Sequence, residues 1–112
     1  MLRFVISLRE IILWIVGRRK RFVVSGNSMK PTFLHGDMIL LNPQNQRIKE
    51  DDIVLLEHPQ VDLILVKRVM FEKEGRFFVQ GDNKKESTDS RHFGMVSRSQ
   101  IQGVVTIKLR SV

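Results

Sequence analysis

Residues 63–71 read LILVKRVMF, a run of large and β-branched apolar side chains interrupted only by Lys67 and Arg68. Such a composition favours an extended strand. Alternation then sets Leu63, Leu65, Lys67, Val69 and Phe71 on one side and Ile64, Val66, Arg68 and Met70 on the other. Both sides are apolar, as in a strand covered on both faces. Around it lie shorter runs of similar texture: FVVS at 22–25, MILL at 38–41, IVLLE at 53–57, RFFVQ at 76–80 and VVTIKL at 104–109. Turn formers separate most of them, among them His35-Gly36-Asp37, Asn42-Pro43, His58-Pro59 and Glu74-Gly75. Strands that follow one another without intervening helices predict a mainly β fold: a compact, largely antiparallel β domain with one N-terminal helix.

A chain of 112 residues fits one such domain. The expected organisation is a helix and basic block over 1–21, followed by the β domain over 22–112. Residues 2–17, LRFVISLREIILWIVG, are split by Arg9 and Glu10. They fall short of the roughly 20 apolar residues that cross a bilayer, and no small-residue cleavage site of a secretory signal follows. At helical spacing Arg3, Ser7 and Glu10 share one face and leave a broad apolar remainder containing Trp14, the pattern of an interfacial helix or one packed on a partner. The alternative is that it covers the domain's own core. The net charge of +7 favours an anionic neighbour, and the block Arg18-Arg19-Lys20-Arg21 directly follows the most apolar stretch, Ile11 to Val16. That placement points to a membrane face more than to nucleic acid, so peripheral membrane contact through residues 1–21 is expected. There is no Cys, and His35, His58 and His92 lack metal-ligand spacing, so neither a metal nor another cofactor is expected.

Lys67 is the only polar member of its strand face. Burial there disfavours the ammonium form and lowers the pKa, which makes a lysine a general base; the alternative is that it snorkels to solvent. A base needs a nucleophile, and SGNSMKPT at 25–32 offers Ser28. Gly26 and Asn27 tolerate a tight backbone, Pro31 stiffens the exit, and Met29 can tuck into the core. Spacing alone leaves His35 and His92 open as partners of Ser28. The polar stretch GDNKKESTDSRHFG, 81–94, is long for a connection in so small a domain, and such loops are usually functional.

Three stretches together resemble the type I signal peptidase family of Ser/Lys serine proteases. SGNSMKPTFLHGD at 25–37 resembles its nucleophile box, LVKRV at 65–69 its general-base box, and 81–94 its third box, with a Gly-Val ending at 103–104. The resemblance implies that Ser28 is the nucleophile and Lys67 the base, and that Ser87 orients the Lys67 amine. It further implies that Asp89 and Arg91 form an ion pair holding the loop, with Gly81 and Asp82 at its entrance. Some members place a serine two residues before the nucleophile; this chain has Gly26, so the implied oxyanion hole rests on backbone at Ser28 and Gly26, with Ser25 and Asn27 as further candidates. The family's usual transmembrane anchor and large additional β domain are not expected here. In that minimal form the chain is similar to the small maturation proteases of nickel-type superoxide dismutase, whose nickel belongs to the substrate. The activity implied is cytoplasmic removal of an N-terminal leader from a precursor protein bound as an extended peptide, with no nucleic acid involved. Two other readings stay open: a signal peptidase acting on exported proteins at the membrane, and a non-enzymatic basic β module binding anionic lipid or nucleic acid. The second finds no interleaved aromatic surface, and the chain has no Tyr. A self-cleaving protease of the repressor type is not expected, because no DNA-binding helix pair is read ahead of the β domain.

Overall fold

The computed structural model describes residues 8–44 and 47–110. The run that opened the sequence lies in β4 (Ile64–Lys73), which pairs antiparallel with β3 (Ile53–Glu57) and with β5 (Arg76–Gln80). The β4–β5 turn is the dipeptide Glu74-Gly75, with φ of 52° and 78°; positive φ at both positions matches the right-handed twist of a hairpin. With β1 (Lys20–Val23), β2 (Met38–Asn42), β6 (Val96–Ser97) and β7 (Ile101–Arg110), the strands form one seven-stranded sheet in the order β1-β2-β7-β3-β4-β5-β6. Every neighbouring pair is antiparallel.

The mainly antiparallel β fold read from the sequence is the one found, and all six expected strands are present. The first begins earlier than expected, at Lys20, because the basic block is extended backbone paired to β2, with Lys20 opposite Leu41. Charged side chains suit that place, since β1 is an edge of the sheet and charge discourages further strand addition. The last strand also starts earlier, at Ile101, and the short β6 was not expected.

The sheet buries apolar residues on both faces. One cluster holds Ile39, Leu41, Ile53, Leu55, Val66 and Val105, and the turn between β1 and β2 adds Met29 and Phe33. The other holds Val54, Leu56, Val69, Val79, Ile101 and Val104. In β3 consecutive residues therefore serve opposite cores, which is why that strand reads as an unbroken apolar run.

Helix α1 spans Leu8–Ile15; the expected face members Arg3 and Ser7 lie outside the described residues. It meets the sheet through a polar residue. Glu10 is buried, accepting from Thr106 Oγ1 (2.5 Å) and Arg19 Nε (2.9 Å). Leu8, Ile12 and Ile15 are exposed, so α1 does not cover the core with its apolar side. Among the described residues no helix is long and apolar enough to cross a membrane.

Candidate active site

The turn carrying Ser28 is closed at its neck by backbone hydrogen bonds from Val24 N–H to Asp37 O and from Gly36 N–H to Val24 O, both 2.8 Å. Met29 (1% exposed) and Phe33 (0%) anchor it in the core, with the Phe33 N–H bonded to Met29 O. At the far end the buried Asp37 accepts the Leu34 N–H (2.9 Å) and Lys108 Nζ (3.3 Å). A cis peptide joins Lys30 to Pro31. Two apolar anchors and a buried ion pair thus hold Ser28, which is itself half-buried.

Lys67 is 2% exposed, opposite Val54 on β3 and between Leu65 and Val69 along β4. It does not snorkel. Its amine donates to Ser87 Oγ at 3.1 Å, and Ser87 donates its only hydroxyl proton to Asp89 Oδ2 at 2.6 Å. Burial lowers the Lys67 pKa; the Asp89 charge acts in the opposite sense, and the Arg91 charge adds to the lowering. A neutral amine in this position gives one N–H to Ser87 and keeps its lone pair for another proton.

Asp89 orders the segment after β5. Its carboxylate accepts from Arg91 Nε (2.9 Å) and Nη2 (3.1 Å), from Ser87, from the Gly81 N–H (2.9 Å) and from the Arg91 N–H (3.1 Å). Burial acts to raise its pKa, but these donors outweigh it and hold the value at about 2. Asp89 also caps α2 (Ser90–Phe93), where its own N–H donates to His92 Nδ1. That ring nitrogen is the acceptor of the Asp89 N–H, so its 3.8 Å approach to Asp89 Oδ1 belongs to the cap.

Gly81 brings the two segments together. A Cβ there would lie 2.2 Å from Ser87 Oγ and 2.6 Å from Ser28 O, so only hydrogen leaves room for both. Next to it, Asn83 donates its N–H to Ser28 O (2.9 Å) and its Nδ2 to Asn27 O (3.1 Å). Asp82 takes both prongs of Arg68, each at 2.9 Å, and the Thr32 hydroxyl. Burial acts to raise the Asp82 pKa, and the Arg68 and Thr32 hydrogen bonds bring it below the usual range. The residue after Lys67, the end of the Ser28 turn and the start of the third segment are therefore tied at one carboxylate.

These contacts refine the sequence expectations. Ser28, Lys67, Gly81, Ser87, Asp89 and Arg91 converge, and Asp82 joins them through Thr32. Among the described residues no hydrogen bond links Lys67 Nζ to Ser28 Oγ; the amine rests on Ser87. Gly26, expected to lend a backbone donor to an oxyanion, instead gives its N–H to His35 Nδ1 at 3.0 Å. Its φ of 85° favours glycine, which accounts for the absence of a side chain two positions before Ser28. Both histidines left open as partners of Ser28 accept backbone N–H groups instead. Sequence reasoning missed Thr32, Asn83 and Arg68, each adjacent to a residue it named, and the Asp37–Lys108 pair.

An antiparallel sheet with a buried lysine beside a serine-bearing turn is the arrangement expected of a serine-type peptidase domain of the signal-peptidase kind. Comparison with known proteins agrees: the Peptidase S24-like family matches residues 14–106, and the chain belongs to it. It is 32% identical to "Mitochondrial inner membrane protease subunit 2" of Schizosaccharomyces pombe over 80% of this chain and 61% of that protein. It is 28% identical to "Signal peptidase I V" of Bacillus subtilis over 76% of this chain and 82% of the relative. To "Mitochondrial ATP-independent inner membrane protease subunit 1a" of Arabidopsis thaliana it is 32% identical, over 77% and 67%. The chain thus spans between 61% and 82% of the length of these relatives.

Proposed function

We propose that the chain hydrolyses a peptide bond near the N-terminus of a precursor protein, with Ser28 as nucleophile and Lys67 as general base. The observation that carries this reading is the Lys67 amine, buried to 2% exposure, depressed in pKa and already held by Ser87. The reading requires the Ser28 hydroxyl to turn to the free lone pair of Lys67. Lys67 takes the proton as Ser28 Oγ attacks the scissile carbonyl, and the carbonyl oxygen becomes an oxyanion received by the Ser28 N–H. Collapse breaks the C–N bond, and Lys67 returns the proton to the leaving amine. A water then gives its proton to Lys67 and attacks the acyl-enzyme; the bond from the acyl carbon to Ser28 Oγ breaks, and Lys67 returns the proton to Ser28. Ser87 and Asp89 act as positioning groups, Arg91 holds Asp89, and Asp82 fixes the turn.

The substrate proposed is an extended leader segment paired to an exposed strand edge, as main-chain pairing gives affinity with little side-chain demand. The precursor of nickel-type superoxide dismutase is the substrate favoured from the sequence, with the enzyme in the cytoplasm and residues 1–21 in peripheral contact with a membrane. A second reading, a signal peptidase for exported proteins, draws on the relatives named as signal peptidase and inner membrane protease subunits and on the exposed Leu8, Ile12 and Ile15. Incubation of the purified chain with each precursor, followed by sequencing of the new N-terminus, separates the two. Cleavage by the wild type and none by Ser28→Ala or Lys67→Ala is expected. Equal cleavage by both variants, correctly folded by circular dichroism, would sink the dyad.

A further inference from the structure

We propose that the concavity between α1 and the end of β2 receives the phosphate of an anionic phospholipid headgroup. On the same lipid, the apolar side of α1 rests at the acyl boundary. The proposal builds on the peripheral membrane contact put forward above and gives that contact a specific ligand group.

The concavity has a volume of about 360 Å³ and is lined by Arg9, Leu13, Arg18, Arg19, Asn42 and Gln44. That is far above the roughly 10–15 Å³ that admits one water, so a tetrahedral phosphate with its ester oxygens enters. Three arginines line one space. Of the three, only Arg19 pairs with a carboxylate among the described residues, Glu10 at 2.9 Å, and that carboxylate is buried and also takes the Thr106 hydroxyl. Arg19 is further fixed by its bond to the Arg18 carbonyl (2.9 Å). Among the described residues Arg9 and Arg18 form no ion pair. Asn42 adds a donor, because its Oδ1 is occupied by the Gln44 N–H (3.0 Å) and its Nδ2 is left for an acceptor. Positive charge and planar forked donors around an open space are complementary to a phosphate, which two guanidinium groups can grip in bidentate fashion.

The surroundings select a lipid over a free anion. The Glu10 anchor turns the polar side of α1 inward, and Leu8, Ile12, Ile15 and Val16 stand 73%, 50%, 77% and 63% exposed beside the arginines. Lys20 and Arg21 extend the basic rim along the edge strand β1. A basic rim beside an aliphatic stripe is complementary to both layers of an anionic bilayer interface. A nucleic acid leaves the stripe uncovered, and a free phosphate has no use for it.

The test uses the full chain, sedimented with phosphatidylcholine vesicles containing or lacking phosphatidylglycerol, together with a soluble precursor-cleavage assay. Each basic residue near a charged surface contributes roughly fivefold, so Arg9→Gln with Arg18→Gln is expected to lose roughly 25-fold of the affinity for anionic vesicles. Binding to neutral vesicles and cleavage of soluble precursor stay unchanged. Ile12→Ser with Ile15→Ser loses binding to both vesicles. Lys73→Gln with Arg76→Gln removes equal charge from the exposed β4–β5 hairpin and is expected to keep the preference; an equal loss there would reduce the effect to net charge and overturn the pocket. Equal binding of wild type to both vesicles overturns it too. So does self-association through α1 with no vesicle binding, or inorganic phosphate perturbing the Arg9 and Arg18 signals by NMR while anionic vesicles leave the chain in solution. Absent cleavage with intact lipid preference counts against the protease reading alone, and absent vesicle binding with intact cleavage against the membrane contact alone.

Discussion

Asp89→Asn keeps the shape of a buried carboxylate and removes its charge. The wild-type group is held at about 2 against an ordinary 3.8. At 1.36 kcal/mol per unit, the ionised form gains about 2 kcal/mol on folding. The folded value lies below the unfolded one, so this contribution is complete above about pH 4 and fades as pH falls through about 2. The asparagine variant is therefore expected to be less stable than wild type by about 2 kcal/mol at pH 7. An amide NH₂ turned toward donors from Arg91 or Gly81 increases that loss. The gap should narrow between pH 4 and pH 2. Urea unfolding followed by circular dichroism at several pH values measures it, and the slope with denaturant should match in the two proteins. The same substitution has a catalytic signature. The Asp89 charge acts to raise the Lys67 pKa, so its removal should move the acid limb of the cleavage profile to lower pH while the maximal rate falls. Equal stability at pH 7, or a gap that stays constant down to pH 2, would refute the assignment of Asp89 as the charged centre of this network.

Other perturbations follow from the same contacts. Wild-type cleavage should rise with pH as Lys67 deprotonates, with a midpoint below the ordinary 10.5 of lysine; a rate flat from acid to mildly alkaline pH would count against Lys67 as base. Gly81→Ala forces a methyl to within 2.2 Å of Ser87 Oγ and 2.6 Å of Ser28 O. A loss of about 1–3 kcal/mol is expected, with cleavage reduced well beyond the change in folded fraction, measured by unfolding and initial rates on one sample. Ser87→Ala removes the acceptor of the Lys67 amine and should lower kcat with KM little changed; a pure KM effect would reassign Ser87 to substrate binding. Lys108→Met removes the amine that the buried Asp37 carboxylate accepts and is expected to destabilise the fold, whereas adding Asp37→Leu should recover part of the loss, both measured by urea unfolding; additive losses would show that the pair does not act as a unit.

Much of this site was legible because strand periodicity is rigid. Once LILVKRVMF is a strand, Lys67 must share a side with Leu65 and Val69, and the buried side chain follows. The flanking strands were legible for the same reason, while the start of β1 was not: Lys20 and Arg21 carry no apolar pattern, and their extended backbone comes from pairing with Leu41 and Leu40. The orientation of α1 was also hidden. Helical periodicity groups residues by face without stating which face turns inward, and a buried acceptor for Thr106 and Arg19 reverses the ordinary choice.

The Asp37–Lys108 pair tests how far that reasoning reaches. Lys108 stands in VVTIKL as Lys67 stands in LILVKRVMF, a lone cation among apolar strand residues, and it is likewise buried, at 5% exposure. The difference lies in the partner. Lys108 meets the carboxylate of Asp37 directly at 3.3 Å, whereas Lys67 meets the hydroxyl of Ser87, with the carboxylate of Asp89 one hydrogen bond further away. Interposing a serine between amine and carboxylate orients the lysine without giving it a direct counter-ion. One buried lysine therefore fixes the Ser28 turn, and the other is the one we propose as general base. Strand patterning finds both, and only the identity of the group each amine touches separates them.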